Sequence, residues 1–172
     1  MTSWSLLDSI RSRTYTNART LPTEATRTIK TLERRIASMV ADLEPTLLEI
    51  EGCGALTAAK IVGETAGIDR FSSEAKFAMH AGIAPLPVWS GDNTRFRLNR
   101  SGNRQLNTAI HKIAITQMRM HEPAKILIKR KMAEGMSKPE ALRVLKRYIA
   151  RRIYETMKKG ARATADLCPA VA

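Results

Sequence analysis

Aromatic residues are scarce in this chain of 172 residues, at 5% of the total. Proteins that bind single strands by stacking bases need several aromatic side chains on one surface, so the composition argues against a base-stacking platform. Cysteine is also rare, with Cys53 and Cys168 far apart and no CxxC pair. We therefore predict neither a structural zinc site nor a disulfide framework, and a cytoplasmic protein in a reducing compartment.

The chain also lacks the long apolar segment that a membrane protein needs. No run reaches about 18 apolar residues, and residues 1–12 are polar with scattered leucine and isoleucine, unlike a signal peptide. Since hydrophobic residues still make up 44% of the chain, it can bury a core. We expect one compact domain with an arm, and no membrane partner.

Acidic residues are few beside basic ones. The chain has 29 Lys and Arg against 16 Asp and Glu, which gives a formal net charge of +13. Such an excess on a small domain predicts a polyanionic partner, most simply DNA or RNA. If about four phosphates are neutralised, log affinity should fall against log salt with a slope of about −3 to −4.

The clearest local pattern lies in residues 47–62, where an apolar run leads into Gly52-Cys53-Gly54 and then resumes with helical spacing. Glycine accepts positive φ, so we expect Gly52 and Gly54 to turn the chain tightly between two helices and to admit another backbone closely. The second helix would begin near Ala55 and present free N–H groups to a phosphate. The pattern resembles a helix-hairpin-helix module, and an ordinary glycine-capped turn is the alternative.

The helix-hairpin-helix hypothesis assigns contacts with the nucleic-acid backbone to Gly52, Gly54, Thr57 and Lys60. It also predicts that Gly54→Val weakens nucleic-acid binding. The same change should cost about 1–3 kcal/mol of stability if the position needs a conformation closed to β-branched residues.

The rest of the chain is helical almost throughout, which predicts an all-α fold built round the hairpin. After a flexible arm over 1–22, a helix over 23–44 carries apolar residues spaced like a coiled-coil seam: Ile29, Leu32, Ile36, Met39 and Leu43. This stripe either lies on the core or pairs with a second copy. The helical domain then spans 45–159, and a disordered tail follows over 160–172.

The last helix of that domain has a clear start. Ser137 and Glu140 form a capping box, with proline in the first turn. The residues expected to be buried along this helix are Leu142, Leu145, Ile149 and Ile153.

One irregular loop, over residues 83–103, interrupts the helices. Its prolines require extended backbone, and four arginines without an intervening acid lie near its end: Arg95, Arg97, Arg100 and Arg104. They form either a short ribbon or a solvated loop, and in so basic a chain we favour phosphate contact. Ser90 stands just before them. A loop serine is usually a turn former, but beside arginines it can also attack a phosphorus atom.

Several short motifs occur in a fixed order: Ile50–Ala58, Arg70-Phe71, Ala81–Pro85, Ser90-Gly91 and Arg100–Leu106. This succession, over about residues 45 to 158, is similar to the C-terminal domain of the insertion-sequence-one-ten family of bacterial transposases. The helix before it resembles the coiled coil that precedes this domain in the family. The resemblance implies DNA transposition, with Ser90 as the catalytic nucleophile that forms a covalent phosphoserine link to DNA. In some members a structured guide RNA directs target choice.

The family also has an N-terminal RuvC-like domain with acidic metal ligands, for which residues 1–45 are too short. His80, His111 and His121 do not have metal-ligand spacing either. We therefore expect no metal site and no cofactor in this chain, with Mg²⁺ supplied by a missing or partner domain. Activity would then need a RuvC-like partner chain, and the chain itself would associate as a homo-oligomer or act in a split enzyme. The alternatives are a non-catalytic helix-hairpin-helix module, a decayed transposase remnant, or a basic structural protein for RNA.

Overall fold

The computed structural model describes the backbone of residues 4–90, 93–99 and 101–167, and the side chains of 23–85, 99 and 101–163. Six α-helices dominate this part of the chain, which confirms the predicted all-α class. They are α1 Trp4–Leu43, α2 Ala55–Thr65, α3 Glu74–His80, α4 Arg104–Met120, α5 Glu122–Ala133 and α6 Lys138–Leu167. Short 3₁₀ turns over Pro45–Glu49 and Ile68–Arg70 join the first three.

The core lies between α4 and α6, against which α2, α3 and α5 pack. The predicted stripe of α6 is buried at Leu145, Ile149 and Ile153, and Leu142 is half-buried. The largest fully buried apolar side chains come from the first 3₁₀ turn and from α2, α3, α4 and α6: Phe77, Leu47, Ile61, Leu106, Ile110, Ile113 and Ile153. Removing each such side chain from water contributes about 1.5–3 kcal/mol, so this burial holds the helices together.

Helix α1 is longer than predicted. Its backbone is helical from Trp4, so most of the segment predicted to be a flexible arm is helix, and Thr23 is not the start. An established helix extends at little cost through residues of moderate propensity. Pro22 removes one backbone hydrogen bond without ending the helix. The expected end is confirmed, because α1 stops at Leu43, just before Pro45.

The apolar stripe of α1 is largely exposed. Ile29, Leu32, Met39 and Leu43 are 50–64% exposed, whereas Val40 is buried and Ile36 is half-buried against the core. Among the α1 side chains that the structure describes, those that reach the core, Ile36 and Val40, therefore lie near the C-terminal end of the helix. The interpretation in which the whole stripe lies on the core is wrong, and pairing with a second copy stays a prediction.

Helix α6 begins as predicted and ends later. Glu140 Oε2 accepts from the Ser137 N–H at 2.8 Å, which is the Glu half of a capping box. Ser137 Oγ also donates to the same carboxylate, at 2.6 Å. The backbone stays helical to Leu167, so residues 160–167 are not a disordered tail, because their alanines, arginine and leucine favour helix. Residues 168–172 of the predicted tail lie outside the described part.

Most of the predicted irregular loop is a β-hairpin. Strand β1 (Pro85–Ser90) pairs antiparallel with β2 (Asn93–Leu98), and Pro85 lies opposite Leu98. A two-stranded ribbon tolerates the prolines because both strands are edges, where a missing N–H need not break a ladder. Of the two alternatives for the arginine-rich stretch, the ribbon is the one observed.

Candidate nucleic-acid interface

Gly52 organises the turn before α2. Its φ of +82° lies in the left-handed region, and a Cβ there would lie 3.1 Å from Thr116 Cβ on α4. The preceding residue, Glu51, is also fixed by α4. Its carbonyl oxygen accepts from Gln117 Nε2 at 2.8 Å, and its carboxylate pairs with His121 Nδ1. The end of α4 therefore holds the turn from one side, and Gly52 allows that contact.

The conformation of Gly54 differs from the one predicted for it. Its backbone is ordinary and extended, with φ of −76° and ψ of 166°, and a Cβ there would meet no atom within 4 Å. It caps the N-terminus of α2 without a side-chain hydrogen bond. The expectation that Gly54 requires a conformation closed to branched residues is therefore wrong. We expected a close approach of another backbone at both glycines. It occurs at Gly52, where the neighbouring atoms are the Thr116 side chain and the Ile113 carbonyl oxygen of α4.

A groove of about 610 Å³ lies between α1 and the N-terminal end of α2. The residues lining it are Lys30, Glu33, Arg34 and Ala37 from α1, and Gly54, Ala55, Leu56 and Thr57 from α2. The first N–H groups of a helix have no partner within the helix, and here no side chain caps them. The groove therefore combines a helix N-terminus with two cations, Lys30 and Arg34, and one carboxylate, Glu33. The cations outnumber the acid, and together with the helix N-terminus they favour phosphate.

The groove brings together some of the predicted contacts and adds others. Gly54 and Thr57 line it, whereas Gly52 and Lys60 are not among its lining residues. Sequence analysis missed Lys30 and Arg34. Their four-residue spacing places them on one face of α1, but only the packing of α1 on α2 reveals which face meets the groove.

The structure places Ser90 at the end of β1, where it pairs with Asn93, the first residue of β2. Arg95 and Arg97 lie on the paired strand β2, opposite Val88 and Leu86. Arg100 lies outside the described residues, and Arg104 is the exposed first residue of α4. Ser90 and two of the arginines thus share one hairpin, and their contact with a phosphate stays a prediction.

The base of the hairpin is held tightly. Gly82 and Gly102 cross so closely that a Cβ on Gly102 would lie 2.2 Å from the Gly82 nitrogen. Asn107 Nδ2 donates to the carbonyl oxygens of Ala81 and Gly82 at 2.9 and 3.0 Å. These contacts fix the hairpin between α3 and α4. Sequence analysis missed Asn107, because its role depends on two carbonyl groups that lie 26 and 25 residues earlier in the chain.

Residues 44–128 match the transposase IS116/IS110/IS902 family. The matched residues, called the transposase segment after this similarity, make up slightly less than half of the chain and contain the Gly52 turn, α2, the hairpin with Ser90 and α4. The match supports a transposase-related function and, with it, an interaction with DNA. Lys30, Arg34 and α6 lie outside the transposase segment. No curated protein matches the chain.

Several cations around the transposase segment are already engaged by carboxylates. The Glu74 carboxylate accepts hydrogen bonds from Arg151 and from Arg147, the latter at 2.8 Å. The hydrogen bond from Arg151 is the main reason that the pKa of Glu74 is lowered. Lys158 pairs with Asp69 at 2.7 Å. These pairs clamp α3 and the preceding turn onto α6. Their positive charge is partly neutralised, so they are weaker candidates for phosphate contact.

The described residues offer no cluster of three His, Cys, Asp or Glu side chains that could hold a metal ion. They therefore do not fit the acidic Mg²⁺ site that the resemblance implies for a RuvC-like domain. Cys53 is buried, and burial raises the pKa of its thiol to about 11, so it stays protonated at neutral pH. No helix in the same part of the chain is long and apolar enough to cross a membrane.

Proposed function

We propose that this chain is a DNA-binding part of an insertion-sequence transposase, and that it binds duplex phosphates in the groove between α1 and α2. The observation that carries the proposal is the meeting of Lys30 and Arg34 with the uncapped N-terminus of α2. A helix N-terminus and two cations favour an anion without reading bases, so binding should depend little on sequence. The net charge of +13 supports the same conclusion.

The catalytic part of the proposal concerns Ser90. Its hydroxyl oxygen forms an ester bond to a DNA phosphorus while the bond from that phosphorus to a deoxyribose oxygen breaks. The proton that leaves the serine balances the proton that the leaving oxygen gains. Arg95 and Arg100 would stabilise the extra negative charge at phosphorus. A partner with acidic ligands would supply the metal site, and a structured RNA could select the target.

Binding is tested by titrating a short duplex with the protein at several salt concentrations. The wild-type slope of log affinity against log salt should be about −3 to −4, and Lys30→Gln/Arg34→Gln should make it less negative by about 0.9 per lost contact. The matched control is Lys125→Gln/Arg130→Gln, which removes the same charge from cations that already pair with Glu122 and Glu134. A flat salt response, or equal losses in both double variants, would contradict groove binding.

Catalysis is tested with Ser90→Ala, which should leave folding and duplex binding within about 0.5 kcal/mol of wild type. We expect covalent protein–DNA adducts only when a RuvC-like partner and Mg²⁺ are present, and none from the variant, since no other atom replaces the nucleophile. If the Ser90→Ala variant forms adducts as fast as wild type, Ser90 is not the nucleophile.

A non-catalytic helix-hairpin-helix module is the second candidate. It is favoured by the place of the groove between α1 and α2, where no residue of the hairpin that carries Ser90 is among the lining residues. Duplex binding without adducts under all reconstitution conditions would support this function instead.

A further inference from the structure

The side chain of Lys146 contacts α4 through a neutral amide and not through a carboxylate. Its Nζ donates to Asn107 Oδ1 at 2.6 Å in a partly buried contact, and it forms no ion pair with another described residue. Three other cations of α6 differ from it: Arg147, Arg151 and Lys158 each pair with an acidic side chain. A partly buried ammonium without an anion is costly, so this position needs an explanation beyond packing.

Two further basic side chains lie beside it. Arg143 precedes Lys146 by one turn of α6, and His111 follows Asn107 by one turn of α4. Burial and the charge of Arg143 lower the pKa of Lys146, while burial and Lys146 lower the pKa of His111. The acidic neighbour of Arg143 is Glu140, which is hydrogen-bonded at the N-terminus of α6. Positive charge therefore concentrates between the two helices.

We propose that the notch formed by His111, Arg143 and Lys146 binds a phosphate of the nucleic-acid backbone. The inference rests on the proposed DNA-binding function and adds a second contact, outside the residues that line the groove. An ammonium has three donors, so Lys146 can bond Asn107 and still donate to a phosphate oxygen. Arg143 adds a second charged donor, and a phosphate bound by both would supply the anion that the notch lacks.

The notch adjoins the base of the hairpin. Asn107, which accepts from Lys146, also donates to the carbonyl oxygens of Ala81 and Gly82, where the chain leaves α3 for β1. A phosphate in the notch therefore lies near the anchored end of the element that carries Ser90. DNA held there and in the groove would contact the transposase segment at two points, and the hairpin base would lie at one of them.

The first test compares duplex affinities of Arg143→Gln and Lys146→Gln with that of Lys158→Gln. Glutamine at 146 removes the charge but keeps a donor for Asn107, so the hairpin base is preserved. Lys158 lies on the same helix and pairs with Asp69, which makes it the matched control. Each notch variant should lose about tenfold in affinity, the effect of one charged hydrogen bond, and should make the salt slope less negative by about 0.9. The control should stay near wild type.

The second test follows the imidazole of His111 by NMR with and without the same duplex. A bound phosphate favours the charged imidazole, so the pKa of His111 should rise on addition of DNA in wild type and rise less in Arg143→Gln. Notch variants that bind like the control, or a His111 pKa that DNA does not move, would overturn the notch alone. A wild-type chain that binds no duplex would overturn the proposed function together with the notch.

Discussion

Replacing Gly52 by alanine should destabilise the protein through the backbone at one turn. Left-handed φ costs an L-residue about 1–2 kcal/mol, and the Gly52 φ is +82°. The new Cβ would also lie 3.1 Å from Thr116 Cβ, so α4 or the turn must shift slightly. We therefore expect a loss of about 1–3 kcal/mol in the free energy of unfolding. For a chain of this length that corresponds to a fall in Tm of about 2–4 °C per kcal/mol.

The matched control is Gly54→Ser, two residues away. Gly54 has ordinary extended backbone and open space, and serine is a better N-cap than glycine by a few tenths of a kcal/mol. Urea denaturation followed by circular dichroism at 222 nm measures both variants. Equal stability of Gly52→Ala and wild type would refute the reasoning, as would a comparable loss in Gly54→Ser. Duplex binding should fall in Gly52→Ala if α4 must hold the turn for the groove to form.

Two further changes test other parts of the fold. If the exposed stripe of α1 pairs with a second copy, Leu32→Asp should shift sedimentation from dimer to monomer while the control Ser38→Asp does not, and a monomeric wild type would end that proposal. Glu74→Gln should cost up to about 1 kcal/mol at pH 7. The pKa of Glu74 is lower in the folded protein than in the unfolded chain. The ionised carboxylate therefore contributes fully to stability above the unfolded-state pKa, and this contribution is lost as pH falls through the folded-state pKa. The stabilities of wild type and Glu74→Gln should therefore converge in acid, and a constant difference across pH would contradict the ion pair.

The sequence by itself determined the all-α class, the start of α6 at its capping box and the buried face of that helix. These features depend on residues within one or two turns of each other, so periodicity and capping chemistry are sufficient to predict them. The excess of positive charge and the order of the transposase motifs are also properties of the chain alone, and they indicated a DNA partner before any fold was known.

Only the tertiary structure decided where the special positions lie. The two glycines look equivalent in sequence, but of the two only Gly52 approaches α4 closely and has a left-handed φ. Lys30 and Arg34 lie 22 and 18 residues before Gly52 and meet α2 only through packing. Lys146 likewise meets Asn107 across 39 residues. Local patterns cannot encode such pairs, because the free energy that sets them comes from the burial of side chains far apart in the chain.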